Sequence, residues 1–194
     1  MLRRAGYEGH IVSFEPVRDT FEELRRTAAA DPRWTVHRCA LGREDGAVPM
    51  RVVEGTMSSV LPATRFGAGR YAQLREAVAE EVPLRRLDGM LDAVLAHVPA
   101  PRPYLKLDTQ GYDLEAFAGL GARAAEVVAL QSALSLLAVY RGMPTLHEAL
   151  GTYTAAGFEG SGLFPVSRQR RTARAVEVDC VMVRADALQS GADG

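Results

Sequence analysis

The sequence has 194 residues, 47% of them hydrophobic, enough for one domain with a sizeable core. Its 23 basic and 24 acidic side chains leave a formal net charge of −1, which excludes a general electrostatic attraction to nucleic acid or to an anionic membrane. No apolar run approaches the roughly 18–20 residues of a membrane span, and the basic start Met1 to Glu8 lacks the apolar stretch of a signal peptide. Cys39 and Cys180 lie in separate apolar segments, which points to neither a disulfide framework nor a metal-binding pair. A reduced, cytoplasmic protein is expected.

Short β-branched or aromatic runs alternate with longer amphipathic stretches, the pattern of βα units around a parallel sheet. Ile11 to Phe14 reads as the first strand and stops at Glu15-Pro16. A helix is expected from Val17 to Ala30, with Phe21 and Leu24 inward and an Asp31-Pro32 stop. Trp34 to Cys39 reads as a strand closed by Ala40-Leu41-Gly42, and Val48 to Val53 as another, at an edge. Glu54 to Gly69 is rich in Gly, Ser and Thr and reads as a long loop, of a length that often serves as a lid. A charged helix is expected over Arg70 to Glu81, then a strand from Val82 to Leu87 and a helix from Asp88 to His97.

After the turn Pro99 to Pro103 comes Tyr104-Leu105-Lys106-Leu107-Asp108-Thr109-Gln110-Gly111-Tyr112-Asp113-Leu114, read as a buried strand ending in an acid, a tight turn and a helix start. Further expectations are a strand at Val127 to Gln131, a helix at Thr145 to Ala156, and a closing hairpin of Phe158 to Val166 with Ala175 to Arg184. One domain is expected over 1–186, with a polar tail over 187–194.

In open α/β sheets ligands bind beyond the carboxyl ends of the strands, and two acids, Glu15 and Asp108, stand at such ends. A carboxylate there can accept two hydrogen bonds from a ribose diol. Glu15 suits that role, or is a helix-start acid favoured by the macrodipole. Asp108 caps the following helix, or orients a substrate hydroxyl, contacts a cofactor or binds a metal. Gly111 marks a tight turn or a close approach, and Asp113 reads as a first-turn helix acid.

His10, His37, His97 and His147 show no metal-ligand spacing, so no metal site is expected; His147 is a weak candidate base. Ser58-Ser59 could contact substrate or belong to a polar loop. The basic run from Ser167 to Arg174 reads as the solvated tip of the last hairpin, and without interleaved aromatics it gives little support to a nucleic-acid role.

Taken in order, Ile11-Val12-Ser13-Phe14-Glu15-Pro16, Cys39-Ala40-Leu41-Gly42 and Leu105 to Leu114 resemble the FkbM-type methyltransferase family. Leu130 to Ser135, Tyr140-Arg141-Gly142, Gly157-Phe158 and Val176 to Asp179 continue the match, which spans about Leu2 to Arg184. The resemblance implies a Rossmann-like class I methyltransferase sheet with helices on both faces and an antiparallel C-terminal hairpin. It implies S-adenosylmethionine as cofactor and, as acceptor, a small-molecule hydroxyl on a sugar or secondary metabolite. By the same resemblance Glu15 and Pro16 hold the ribose, Ala40 and Leu41 line the adenine pocket, and Gln110 contacts the cofactor. Asp108 stands at the active-site floor as the catalytic candidate and a cofactor contact.

Two departures accompany the match. The family carries a strand and a glycine-rich loop ahead of Leu2, the strand lying between those of Ile11 and Tyr104; both are expected to be missing here, and a homodimer could cover the gap. Members resembling this chain also tend to carry an acid where Ala133 stands. The expectation is therefore an O-methyltransferase, with a catalytically inactive binding or scaffolding domain as the alternative.

Overall fold

The computed structural model describes residues 2–185; the tail expected over 187–194 lies outside the described residues. The chain forms a mixed α/β fold whose strands fall into three hydrogen-bonded sheets. β1 (Ile11–Phe14) and β2 (Trp34–His37) pair in parallel, joined by α1 (Arg18–Ala28). Helix α1 turns Phe21, Leu24 and Ala28 inward at helical spacing, and Val17 before it is buried.

Ala40 and Leu41, expected to close β2 as a turn, form a strand of their own, β3. It pairs in parallel with β5 (Val78–Arg85), and β5 pairs antiparallel with the edge strand β4 (Gly46–Val52). The charged helix expected over Arg70 to Glu81 does not form. A short 3-10 turn occupies Ala72–Arg75 and β5 begins at Val78, because Val82 and Leu84 are buried two residues apart and Pro83 cannot donate within a helix. Glu80 then pairs with Arg38, just past β2, at 2.9 Å.

The long loop is also more ordered than expected. Its end forms α2 (Arg65–Arg70), whose N-terminus is capped by the hydroxyl of Thr64 accepting from Gly67 N–H at 2.9 Å. Gly67 is required there: a Cβ would come within 2.2 Å of the Val139 carbonyl oxygen.

The third sheet has the order β6 (Tyr104–Leu107), β7 (Ala129–Ser135), β9 (Ala175–Arg184), β8 (Phe158–Arg168), with β6 and β7 parallel and β8–β9 an antiparallel hairpin. One face carries Leu107, Leu130, Leu134, Val178, Cys180 and Met182, packed under α3 (Asp88–Leu95), α4 (Asp113–Ala118) and α5 (Leu146–Ala155). Phe117 of α4 meets Tyr153 of α5 edge-to-face at 5.0 Å in this core. The opposite face carries Tyr104 and Lys106, both exposed, so β6 is an edge strand buried on one side rather than the buried strand expected. Among the described residues β1 pairs only with β2 and β6 only with β7, which leaves one edge of each free.

A smaller apolar cluster lies beyond the carboxyl ends of β6 and β7. Val139, Tyr140 and Val176 are buried there against Met57, Leu61, Phe66, Tyr71, Leu74 and Met143. It fastens the loop 53–64 and α2 to the segment 136–143, with Thr64 N–H donating to Val139 O at 2.9 Å and Arg141 N–H to Pro62 O at 2.8 Å.

Candidate functional site

Glu15 follows β1 directly, at its carboxyl end. Its Oε1 accepts from the Val17 N–H at 2.9 Å, which fixes the carboxyl at the entry to α1, and no hydrogen bond engages Oε2 among the described residues. Burial raises its pKa above the ordinary carboxylate value; the Val17 bond pulls the other way, and Glu80 adds a smaller upward push. Pro16 links this acid to Val17. Ala40 and Leu41 are buried, each about 8% exposed, and pack into different clusters, Ala40 with Val17 and Val82, Leu41 with Leu87 and Leu91. The aromatic ring of Phe14 stacks on His37 at 5.4 Å beside the same strand ends.

Asp108 follows β6 in the equivalent place. Lys106, the only lysine in the sequence, donates to Oδ2 at 2.8 Å, and the Gln110 amide donates to Oδ1 at 3.1 Å. Lys106 and Asp108 are each about half exposed, so the pair contributes little stability but points the carboxyl outward. Gln110 has φ 54 and Gly111 φ 92, two consecutive left-handed residues that turn the chain sharply from β6 into α4.

Sequence reasoning missed what holds this turn. The Tyr140 hydroxyl lies 3.1 Å from Gln110 Oε1 and 2.8 Å from Met57 O, and the Ser59 hydroxyl donates to Gln110 O at 2.8 Å. Tyr140 is buried, and its pKa is pushed well above the usual phenol range, first by burial and then by Glu177. Ser59, read as a possible substrate contact, is only 1% exposed and is spent on the loop. Ser58 likewise bonds the Val53 backbone, at 3.1 Å from its N–H. The signal available in the sequence was the Tyr140-Arg141-Gly142 match, which carried no role.

Asp113, read as a first-turn helix acid, begins α4 but is 1% exposed. Burial pushes its pKa up to about 6, opposed by the N–H and hydroxyl of Thr109, which face it. The Ser132 hydroxyl lies 3.4 Å from its Oδ1, and Tyr153 donates to Ser132 at 2.9 Å, a polar thread through the core. This is scaffold beneath the Asp108 turn.

Ala133 stands directly opposite Asp179 in the β7–β9 ladder, so the neighbouring strand presents a carboxylate on the same face. His147 lies in the first turn of α5 and His97 past α3, in different elements from Asp108. Among the described residues no three His, Cys, Asp or Glu side chains cluster closely enough to hold a metal, and no helix is long and apolar enough to cross a membrane.

The arrangement brings two acids to the carboxyl ends of two strands in different sheets, one with a free oxygen and one oriented by a lysine and a glutamine. No curated protein and no solved structure matches the chain. The model of the methyltransferase FkbM domain matches residues 1–135, more than two thirds of the sequence, including β1, β3, β6 and both acids. The chain therefore belongs to the FkbM methyltransferase family.

Proposed function

We propose that the chain transfers a methyl group from S-adenosylmethionine to a hydroxyl of a small molecule, such as a sugar or a secondary metabolite. The observation that carries this reading is the outward-facing Asp108 carboxyl, held on both oxygens beyond the end of β6. Family membership supports methyl transfer; the donor and the acceptor class are our inference.

The residues fit the donor in one respect above all: Glu15 keeps an unengaged oxygen at a strand end, where a ribose diol needs an acceptor. Ala40 and Leu41 turn their side chains into two different cores, so the end of the β3 backbone is what they offer adenine; Pro16 fixes the chain beside Glu15, and Gln110 contacts the cofactor from the Asp108 turn. Bound S-adenosylmethionine supplies an electrophilic methyl group on a sulfonium sulfur. The protein's part is to hold the acceptor oxygen in line with that group, so positioning supplies much of the acceleration. Asp108 accepts a hydrogen bond from the acceptor hydroxyl and takes its proton as the carbon–oxygen bond forms. Lys106 and Gln110 keep that carboxyl aimed.

The free edges of β1 and β6 support the finer fold reading, a Rossmann-like sheet whose intervening strand would join the two halves. A second reading, a binding domain without turnover, rests on Ala133, where an acid stands in the members that the sequence resembles. Asp179 opposite Ala133 weighs against it, because a carboxylate is present on the same sheet face.

The test is transfer of radiolabelled methyl from S-adenosylmethionine to a panel of hydroxylated small molecules, with Asp108→Asn beside the unchanged chain. The proposal expects labelled ether products and a loss of roughly 100-fold or more in turnover for the variant. Donor binding without transfer to any acceptor would favour the binding domain.

A further inference from the structure

The basic hairpin tip has a place in the fold that its sequence did not reveal. Ser135, the last residue of β7, pairs with Glu177 near the start of β9, and Glu177 pairs with Ser167 near the end of β8. The tip therefore projects beyond the carboxyl ends of the parallel strands, the end at which Asp108 sits. Arg168, Arg170, Arg171 and Arg174 fall within it.

The tip is a built turn. Gln169 N–H donates to Arg174 O at 2.8 Å, Ala173 N–H to Gln169 O at 3.0 Å, and Ala173 has φ 54. It is also docked. Arg70 of α2 donates to Arg168 O at 3.1 Å, and its guanidinium carbon lies 5.2 Å from the centre of the Tyr71 ring. Among the described residues the Arg70 Nε is buried without a partner, as are only Arg38 Nε and Thr109 Oγ1 among buried side-chain polar atoms. Tyr71 and Ser167 both donate to Glu177 Oε2 at 2.9 Å, so this carboxylate beside the tip is taken by hydroxyls. Among the described residues none of these five arginines has an ion-pair partner, whereas Arg3, Arg86 and Arg123 do.

Contacts run from the tip to Asp108: Arg70 on Arg168, Thr64 on Val139, Tyr140 on Gln110, and Gln110 on Asp108. A ligand held by the tip thus lies at the same end of the fold as the candidate acceptor site. The choice of arginine over lysine carries no weight in a chain with one lysine; number and placement carry the argument. Five arginines at one end of the fold, of which Arg168 also donates to Ala173 O at 3.0 Å, exceed what a single carboxylate needs and match the charge and the several oxygens of a phosphate or pyrophosphate.

We propose that the β8–β9 tip and Arg70 bind a phosphate or pyrophosphate group carried by the methyl acceptor. The inference rests on the methyl-transfer reading for the word acceptor, and on the arginines alone for the anion site.

The test is titration of the chain with inorganic pyrophosphate, and separately with inorganic phosphate, at fixed ionic strength and without methyl donor, following the arginine Nε–H signals by NMR. The expected result is saturable shifts of the Arg70 and tip signals, with affinity weakened roughly tenfold by Arg70→Gln and by the exposed pair Arg170→Gln/Arg171→Gln. Melting curves on the variants check that they remain folded. No saturable shift at roughly millimolar pyrophosphate, or equal affinity in the folded variants, would overturn the anion site. Single-stranded RNA that binds more tightly than pyrophosphate, with a steep salt dependence, would overturn it in favour of a nucleic-acid surface. Pyrophosphate binding without any S-adenosylmethionine binding would keep the anion site and overturn its acceptor role.

Discussion

The hydroxyl of Tyr140 lies 3.1 Å from Oε1 of Gln110, whose amide in turn holds Asp108 at 3.1 Å. One buried phenol thereby ties the segment 136–143 to the turn that follows β6, and through Met57 O to the loop 53–64. Gln110 sits in the left-handed region, which costs a residue with a side chain on the order of 1 kcal/mol, so its conformation depends on these bonds.

Tyr140→Phe keeps the ring in its apolar cluster and removes only the donor. The expected cost is about 1–2 kcal/mol in urea unfolding, because Gln110 and Met57 lose a buried partner. Turnover should fall more than donor affinity, since the loss acts on the aim of Asp108 rather than on Glu15. Unchanged kcat would separate Tyr140 from the reaction.

The buried Asp113 makes stability depend on pH in a defined direction. Its folded pKa, about 6, lies above the ordinary value of 3.8, so the folded state holds its proton more tightly than the unfolded chain does. Its contribution is favourable below about pH 4 and is lost as pH rises through about 6, an effect on the order of 3 kcal/mol. Asp113→Asn should flatten that part of the stability curve, with Ser132 still able to donate to the amide oxygen. Chemical denaturation of both proteins between pH 4 and 8 checks it; parallel curves would refute it.

Among the described residues Arg184 closes the core without a carboxylate partner. Its guanidinium donates to Val127 O at 2.9 Å, to Ala156 O at 3.0 Å and to Ala124 O, and lies 4.3 Å from the centre of the Phe158 ring. Arg184→Met should lower stability by roughly 2–4 kcal/mol, because three carbonyls and the end of α5 lose a charged donor. Arg184→Lys should recover only a fraction, since an ammonium cannot span three divergent acceptors. Thermal unfolding of the two variants decides, and equal melting temperatures for them would argue against the fork.

Strands with β-branched runs and helices with a periodic apolar face were legible from local pattern. β1, α1, α3, β6 and the closing hairpin fall within a few residues of their expected limits. β5 was misread because Glu80 and Glu81 look like a helix surface until Val82 and Leu84 find their burial in a sheet. The exposed face of β6 was hidden for a related reason: an apolar run does not say which neighbours cover it. Glu15 and Asp108 were visible because strand-end acids are a local signal. Tyr140, Ser59 and Arg70 were not, since their partners lie 30 or more residues away in sequence.

The central claim is a donor site built on Glu15, and calorimetric titration of S-adenosylmethionine tests it most directly. The titration is made into the chain with and without Glu15→Gln. The account predicts saturable binding, weakened roughly tenfold or more by the substitution, as expected for a lost charged acceptor on a diol. It also predicts that binding weakens on acidification at a pH above the ordinary carboxylate range, because burial raises the pKa of Glu15. No saturable binding, or binding indifferent to Glu15→Gln, would contradict it.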